Sequence, residues 1–169
     1  MNAADKYESD MNKKQRSRML VDLLGARKSC RDYSTEEVPQ EDIDRILWAG
    51  ERAPYASGGP RRRIIAIRDR EIKERLFEPC QRQTYVRDCD TIFVLCNYGT
   101  DEIMVSGNRK SLWDCGVACA YMDIMAQGLG LGTCWIGHFN SDEVKKVLGC
   151  EGRPEIILIT GYGYVQPCD

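Results

Sequence analysis

The chain holds a single histidine, His138, among its 169 residues. That scarcity leaves little scope for a Ser-His-Asp or Cys-His catalytic set. His138 could meet a cysteine, but no nucleophile turn stands near it. Charge excess is lacking too: 24 Lys+Arg against 26 Asp+Glu leaves a net −2. Such a balance gives no general pull toward nucleic acid or an anionic membrane, so any anion site must be local. No apolar run reaches membrane-spanning length. The longest apolar-rich stretch, SLWDCGVACAYMDIMAQGLGLG, is broken by Asp114 and Asp123. The first residues, MNAADKYESDMNKKQ, carry no apolar signal core. A cytoplasmic location is expected, with neither nucleic acid nor membrane as a partner.

Standard nucleotide loops are missing as well. GLGLGT lacks a Gly-Lys-Ser/Thr ending and follows an apolar helix instead of joining a strand to a helix start. The Rossmann pattern and its downstream ribose-binding acid are also absent. Cysteine is plentiful, at nine, yet no two form CxxC. Zinc would need four ligands in closer clusters, so no metal is expected. The odd count and the lack of a leader argue against a secreted disulfide framework. The thiols read as small buried apolar groups in a reducing cytosol.

What is present is a mixture of helical and strand-like segments. Residues 10 to 26 read as a helix with an apolar stripe of Met19, Leu20, Leu23 and Leu24, stopping near Gly25. A second helix spans about 41 to 52, with Ile43, Ile46, Leu47 and Ala49 on one side and Pro54 at its end. RRRIIAIRD is a strand and REIKERLFEPC a short helix. DTIFVLC is continuously apolar, hence a central strand buried on both faces. Residues 110 to 128 form a helix that is apolar nearly all round and should be buried on most sides. One small chain can hardly supply that cover alone, and a partner subunit would. GLGLGTCWIGHF is a glycine-punctuated strand or extended loop. SDEVKKVLG is a helix with Ser141 as its N-cap and Gly149 at its end. PEIILITGYG is a last buried strand. Strict βαβ alternation is missing, so the class is α+β.

Three segments could approach a planar, phosphorylated ligand. Arg27, Ser29 and Arg31 alternate in GARKSCRDYS, with Lys28 beside them. In extended backbone the three alternating side chains face one way. Two guanidinium forks around a hydroxyl suit a phosphate monoester. Read alone, the row is as readily a solvated basic loop. APYASGGP offers small side chains and free amides for close approach to a ring, or is merely a turn. GTCWIGHF brings Ile136, Gly137 and His138 to a strand end, where backbone N–H groups could meet a ring edge.

Taken together, the order and spacing of these segments resemble the FMN-dependent nitroreductase family. The likeness runs from about Leu24 to Gly163. Its marks are ARKSCRDYSTEEVPQEDIDRILWAGERAP, QRQTYVRDCDTIFVLC, DCGVACAYMDIMAQGLGLGTCWIGHFNSDEVKKVLG and PEIILITGYG. The resemblance implies a nitroreductase-like fold: a central mixed β-sheet flanked by helices, in a homodimer with a buried central helix. Residues 1–23 would be an N-terminal helical extension of one FMN-binding domain, 24–169. It implies FMN bound between subunits, and NADH or NADPH as reductant. By that likeness Arg27, Ser29 and Arg31, with Lys28 adjacent, contact the phosphate and ribityl chain. Pro54, Tyr55, Ala56, Ser57 and Gly58 pack on the isoalloxazine, from the other subunit. Gln83 reaches the flavin's polar edge, and the segment Ile136, Gly137, His138 points a backbone N–H at N5. Hydride would pass from NAD(P)H through N5 to small electron-poor acceptors such as quinones or nitroaromatics. No catalytic side chain is then required.

The chain departs from the family's pattern in three places. The loop after Pro54 usually carries an asparagine followed by Gln-Pro-Trp, where SGGPRRR stands here. Arg61 or Arg62 would either compensate near the phosphate or simply begin an exposed strand. The final YVQPCD lacks the Lys-x-Arg pair of the relatives' C-terminal arm. The span from Cys96 to Lys110 is short, which predicts an open or barely lidded substrate pocket. Two other readings stand beside this one, the first prompted by the missing arm and asparagine. One is a flavin-binding sensor or carrier with little turnover. The other is a specialised flavoenzyme, a dehydrogenase or dehalogenase, for which the short chain has scant room.

Overall fold

The computed structural model describes residues 12–56, 59, 61–100 and 102–163. Four strands form one sheet in the order β1-β2-β4-β3: β1 Arg62–Ile67, β2 Thr91–Asn97, β3 Gly132–Ile136 and β4 Arg153–Gly161. All three pairings are antiparallel. The mixed character expected of the sheet is confined to one isolated parallel bridge, Ser29 to Thr133.

β2 is buried at every position, as its unbroken apolar run requires. Side chains alternate across it. Phe93 and Leu95 face a layer made by α2 (Gln40–Arg52) and α5 (Lys110–Gly128), with Ile43, Ile46, Ala118, Cys119 and Met122. Ile92, Val94 and Cys96 face the opposite layer. That layer contains α3 (Arg70–Leu76), α4 (Tyr85–Asp88) and α6 (Ser141–Leu148), and supplies Leu76, Val86 and Val144. β4 divides likewise, Leu158 to the first layer and Ile157 with Ile159 to the second. Helices therefore cover both faces of the sheet.

Helix ends depend on local hydrogen bonds. The sequence names Ser141 as the cap of α6, but Asn140 fills that place: its Oδ1 accepts from Glu143 N–H at 3.2 Å. Ser141 instead donates its hydroxyl to the Pro154 carbonyl at 2.7 Å, tying the helix to β4. Gly149 closes α6 in the left-handed region, at φ 60. Asp69 caps α3. The four-residue α4 is too short for its periodicity to announce it.

The first helix, α1 (Lys13–Ala26), runs one residue past the expected glycine stop and buries none of its residues. Met19, Leu20, Val21 and Leu24 are all exposed. α5 is buried toward the sheet through Cys115, Ala118, Cys119, Met122 and Ala126. Its Leu112, Trp113 and Tyr121 are exposed in the single chain.

Seven described cysteines are buried and Cys150 is half-buried; none is bridged. Burial pushes the thiols of Cys80, Cys89 and Cys115 up to about 12. These groups therefore keep their protons when folded at a pH where the unfolded chain releases them. Stability from them is complete below about pH 9 and is lost as pH rises toward 12. The expected slope is about 1.4 kcal/mol per pH unit for each such thiol. Urea denaturation at pH 7.5 and about pH 10 checks this; a flat profile would contradict it.

Candidate functional site

The segment after α1 leaves the helix at Arg27, whose backbone is extended. It then runs alongside β3: Cys30 N–H donates to the Thr133 carbonyl at 2.7 Å, and Ser29 bridges Thr133. Further on, Ser34 N–H donates to the Tyr162 carbonyl at 2.7 Å, and Tyr33 donates its hydroxyl to the Cys30 carbonyl at 2.8 Å. Cys30 is thereby turned inward, while Arg27, Lys28, Ser29 and Arg31 are exposed. Glycine is needed opposite: a Cβ at Gly132 would stand 2.7 Å from the Cys30 Cβ and 2.8 Å from its Sγ.

Arg27, Ser29 and Arg31 lie near enough to Cys134 of β3 to bear on its thiol. Burial raises the Cys134 thiol; Arg31, a hydrogen bond from Ser29 and Arg27 all act to lower it. Two cations and a hydroxyl thus share one small region at the β3 edge of the sheet. Arg31 also lies over the Tyr85 ring, 6.0 Å from its centroid.

Gln83 approaches the same edge from the second layer. Its Nε2 donates to the Cys80 carbonyl at 2.7 Å and to the His138 carbonyl at 3.3 Å. Its Oε1 accepts from the Tyr85 hydroxyl. Ile136 is buried at the end of β3, and Gly137 and His138 emerge exposed beyond it. One edge therefore collects Arg27, Ser29, Arg31, Gln83 and His138.

The remaining sequence-selected group sits elsewhere. Pro54, Tyr55 and Ala56 follow α2 and are fastened from two sides. Arg62 donates to the carbonyls of Gly50 (2.9 Å), Ala53 (2.5 Å) and Pro54 (3.1 Å). Its guanidinium lies 5.9 Å from the Tyr55 ring centroid. Asp114, buried in α5, accepts the Ala56 N–H at 2.8 Å. This group belongs to the α2–α5 layer and the β1 edge, whereas Gln83 belongs to the other layer and β3 lies at the other edge. Ser57 and Gly58, and the terminal YVQPCD, lie outside the described residues.

Arg62 is a cap on the carbonyl end of α2, where a cation also meets the negative end of the helix dipole. Arg61 donates to Thr100 Oγ1 at 3.0 Å, and Arg63 stacks on Tyr98, 4.6 Å from its centroid. Each of the three arginines is thus held in place by neighbours at the start of β1. Arg62→Met should cost about 1.5–3 kcal/mol of stability, the range for hydrogen bonds to charged groups. Limited proteolysis should then cut near residues 54–56; unchanged resistance would contradict the clamp.

Sequence reasoning missed Tyr85, Asp114 and Asp123. Asp123, 3% exposed, accepts from Thr133 Oγ1 at 2.5 Å and from Trp135 Nε1 at 2.8 Å. The signal was available: two carboxylates inside an otherwise apolar helix must have partners when buried.

The protein is a three-layer sandwich with a cationic, hydroxyl-bearing row at one sheet edge. The chain belongs to the nitroreductase family, whose sequence profile matches residues 24–88 and 79–164. It is 29% identical over 140 residues to a protein of Archaeoglobus fulgidus with the provisional name NADH dehydrogenase/NAD(P)H nitroreductase. That match covers 81% of this chain and 78% of the relative. It is 25% identical over 165 residues to FMN reductase [NAD(P)H] of Bacillus subtilis, covering 89% and 66%. The fold matches nitroreductase A from Vibrio parahaemolyticus with a TM-score of 0.80 at 20% identity, over 93% of this chain and 70% of that one.

Proposed function

We propose that the chain is an FMN-dependent oxidoreductase that uses NADH or NADPH to reduce small electron-poor acceptors such as quinones or nitroaromatics. The observation that carries the reading is the row of Arg27, Ser29 and Arg31, aligned by its pairing to β3. Two guanidinium groups and one hydroxyl match the donors a phosphate monoester accepts. The family adds weight, since a relative is named FMN reductase [NAD(P)H]. When bound, the flavin would supply hydride exchange at N5, between the nicotinamide and the acceptor.

This chain's residues have binding and orienting roles in that scheme. Arg27, Ser29 and Arg31, with Lys28 nearby, hold the phosphate end. Ile136, Gly137 and His138 bring backbone donors to the ring. Gln83 has both amide hydrogens engaged by Cys80 and His138 and one lone pair of its Oε1 taken by the Tyr85 hydroxyl, so a ligand would meet the second lone pair of that oxygen. Pro54, Tyr55 and Ala56 cover the ring from a second copy of the chain, because within one chain they are anchored on the other layer. The exposed Met19, Leu20, Leu24, Leu112, Trp113 and Tyr121 give that second copy an apolar surface to bury. Among the described residues no helix is long and apolar enough to cross a membrane. The connection between β2 and α5 leaves Ile103 and Val105 exposed, which fits an unlidded site for acceptors.

The test is spectroscopic, then kinetic. Purified protein incubated with FMN should show bound-flavin absorption and then oxidise NAD(P)H with menadione. Protein that takes up no flavin refutes the reading. Protein fully loaded yet without turnover leaves a flavin-binding protein and refutes the reductase.

A further inference from the structure

The segment after α2 carries one large side chain among small ones, Tyr55 between Pro54 and Ala56. That side chain is 49% exposed. Its backbone is held on both sides. The peptide group before it is fixed through the Pro54 carbonyl, which accepts from Arg62 Nη1 at 3.1 Å. The peptide group after it is fixed through the Ala56 N–H, which donates to Asp114 Oδ1 at 2.8 Å. Each peptide group is planar, so holding the planes on either side of one Cα sets the direction of its side chain. The two anchors come from different elements, Arg62 from β1 and Asp114 from α5.

Neither anchor serves an apolar core. Asp114 is 7% exposed, and a carboxylate taken out of water needs bonds to offset its desolvation. The bond it accepts from Ala56 lies 58 positions away, on this segment. Arg62 donates to three carbonyls along the same stretch, and its guanidinium lies 5.9 Å from the centroid of the Tyr55 ring. A cation beside an aromatic ring attracts it and narrows its range of positions. The chain therefore displays an aromatic ring in solvent on a backbone that is already ordered. Such a ring loses little freedom when a flat molecule stacks on it.

We propose that Tyr55 is a specificity-determining residue, stacking on flat aromatic acceptors and favouring them over acceptors without a ring face. The role rests on the flavin reading above, in which this segment of one copy covers the ring held by the other. An acceptor that takes hydride from a flavin has to lie against that ring, and so on the side that the covering segment faces. Among Pro54, Tyr55 and Ala56 only the tyrosine offers an aromatic surface there.

The test compares two acceptors in protein kept saturated with FMN, so that changes in flavin affinity drop out. One is menadione, which is flat and aromatic. The other is ferricyanide, a one-electron acceptor without an aromatic face. In Tyr55→Ala the ratio of kcat/KM for menadione to that for ferricyanide should fall about fivefold, the effect of losing one aromatic pair. The fall should lie mainly in the KM for menadione, as expected for a contact that binds and does not react. Tyr55→Phe keeps the ring and should hold the ratio within about twofold of wild type. Tyr55 is exposed, so neither substitution empties a core. An unchanged ratio in Tyr55→Ala overturns the role. An equal fall in Tyr55→Phe also overturns it, because the hydroxyl and not the ring would then be responsible. Wild-type protein that is loaded with FMN yet reduces neither acceptor overturns the reductase reading and this role together. Wild-type protein that reduces both, with the same ratio as Tyr55→Ala, overturns this role alone.

Discussion

Arg27→Ala combined with Arg31→Ala should weaken FMN binding by about 10²–10⁴-fold while leaving the fold intact. On the proposed reading each guanidinium would contribute a charge-assisted contact of about 1.5–3 kcal/mol to the phosphate. Two such contacts amount to about 3–6 kcal/mol, which converts to that range of affinity. Both side chains are exposed, so neither substitution empties a core. The loss should shrink at high salt, where the wild-type affinity itself is screened down. Fluorescence titration of FMN at two ionic strengths measures both effects. A double variant that binds as tightly as wild type would place the phosphate elsewhere. Arg61, Arg62 and Arg63 would be poor substitutes, being committed to Thr100, the end of α2 and Tyr98.

Asp123→Ala should destabilise the protein by about 3–6 kcal/mol. The carboxylate is buried and accepts two hydrogen bonds, from Thr133 and Trp135. Truncation leaves both donors without their acceptor, at about 1.5–3 kcal/mol for each bond to a charged group. Asp123→Asn retains the shape and one acceptor oxygen and should cost less than half as much. Urea denaturation gives the magnitude. Tryptophan emission gives the location, because Trp135 is 39% exposed and bonds directly to Asp123. Loss of stability without any change in emission would contradict the assignment. The effect reaches the site because Thr133 also pairs with Ser29 and Cys30. Loosening β3 therefore loosens the cationic row.

Much of the fold was legible wherever burial dictated residue type. DTIFVLC read correctly as a strand covered on both faces, because only apolar side chains are tolerated at both surfaces of a central strand. The apolar helix 110–128 emerged with those bounds. Signals that depend on one hydrogen bond were less secure. Ser141 and Asn140 are both good caps, and only the nearby Pro154 carbonyl decides that the serine turns away. α4 was invisible because four residues carry no helical period.

The candidate site divides in the same way. The sequence by itself determined the chemistry on offer: two guanidiniums around a hydroxyl, small residues after Pro54, and an α+β frame of apolar strands and helices. Composition and periodicity are local, and local order suffices for them. Only the tertiary structure decided which of these groups meet. Pairing to β3 aligned the segment of Arg27, Ser29 and Arg31, the start of β1 committed Arg62 to the end of α2, and layer packing set the Tyr85 ring beside Arg31. The physical reason is that the deciding contacts, Ser29 with Thr133 and Arg31 with Tyr85, join different elements that lie far apart in the chain. Their partners are chosen by layer packing and strand register, which no stretch of neighbouring residues encodes.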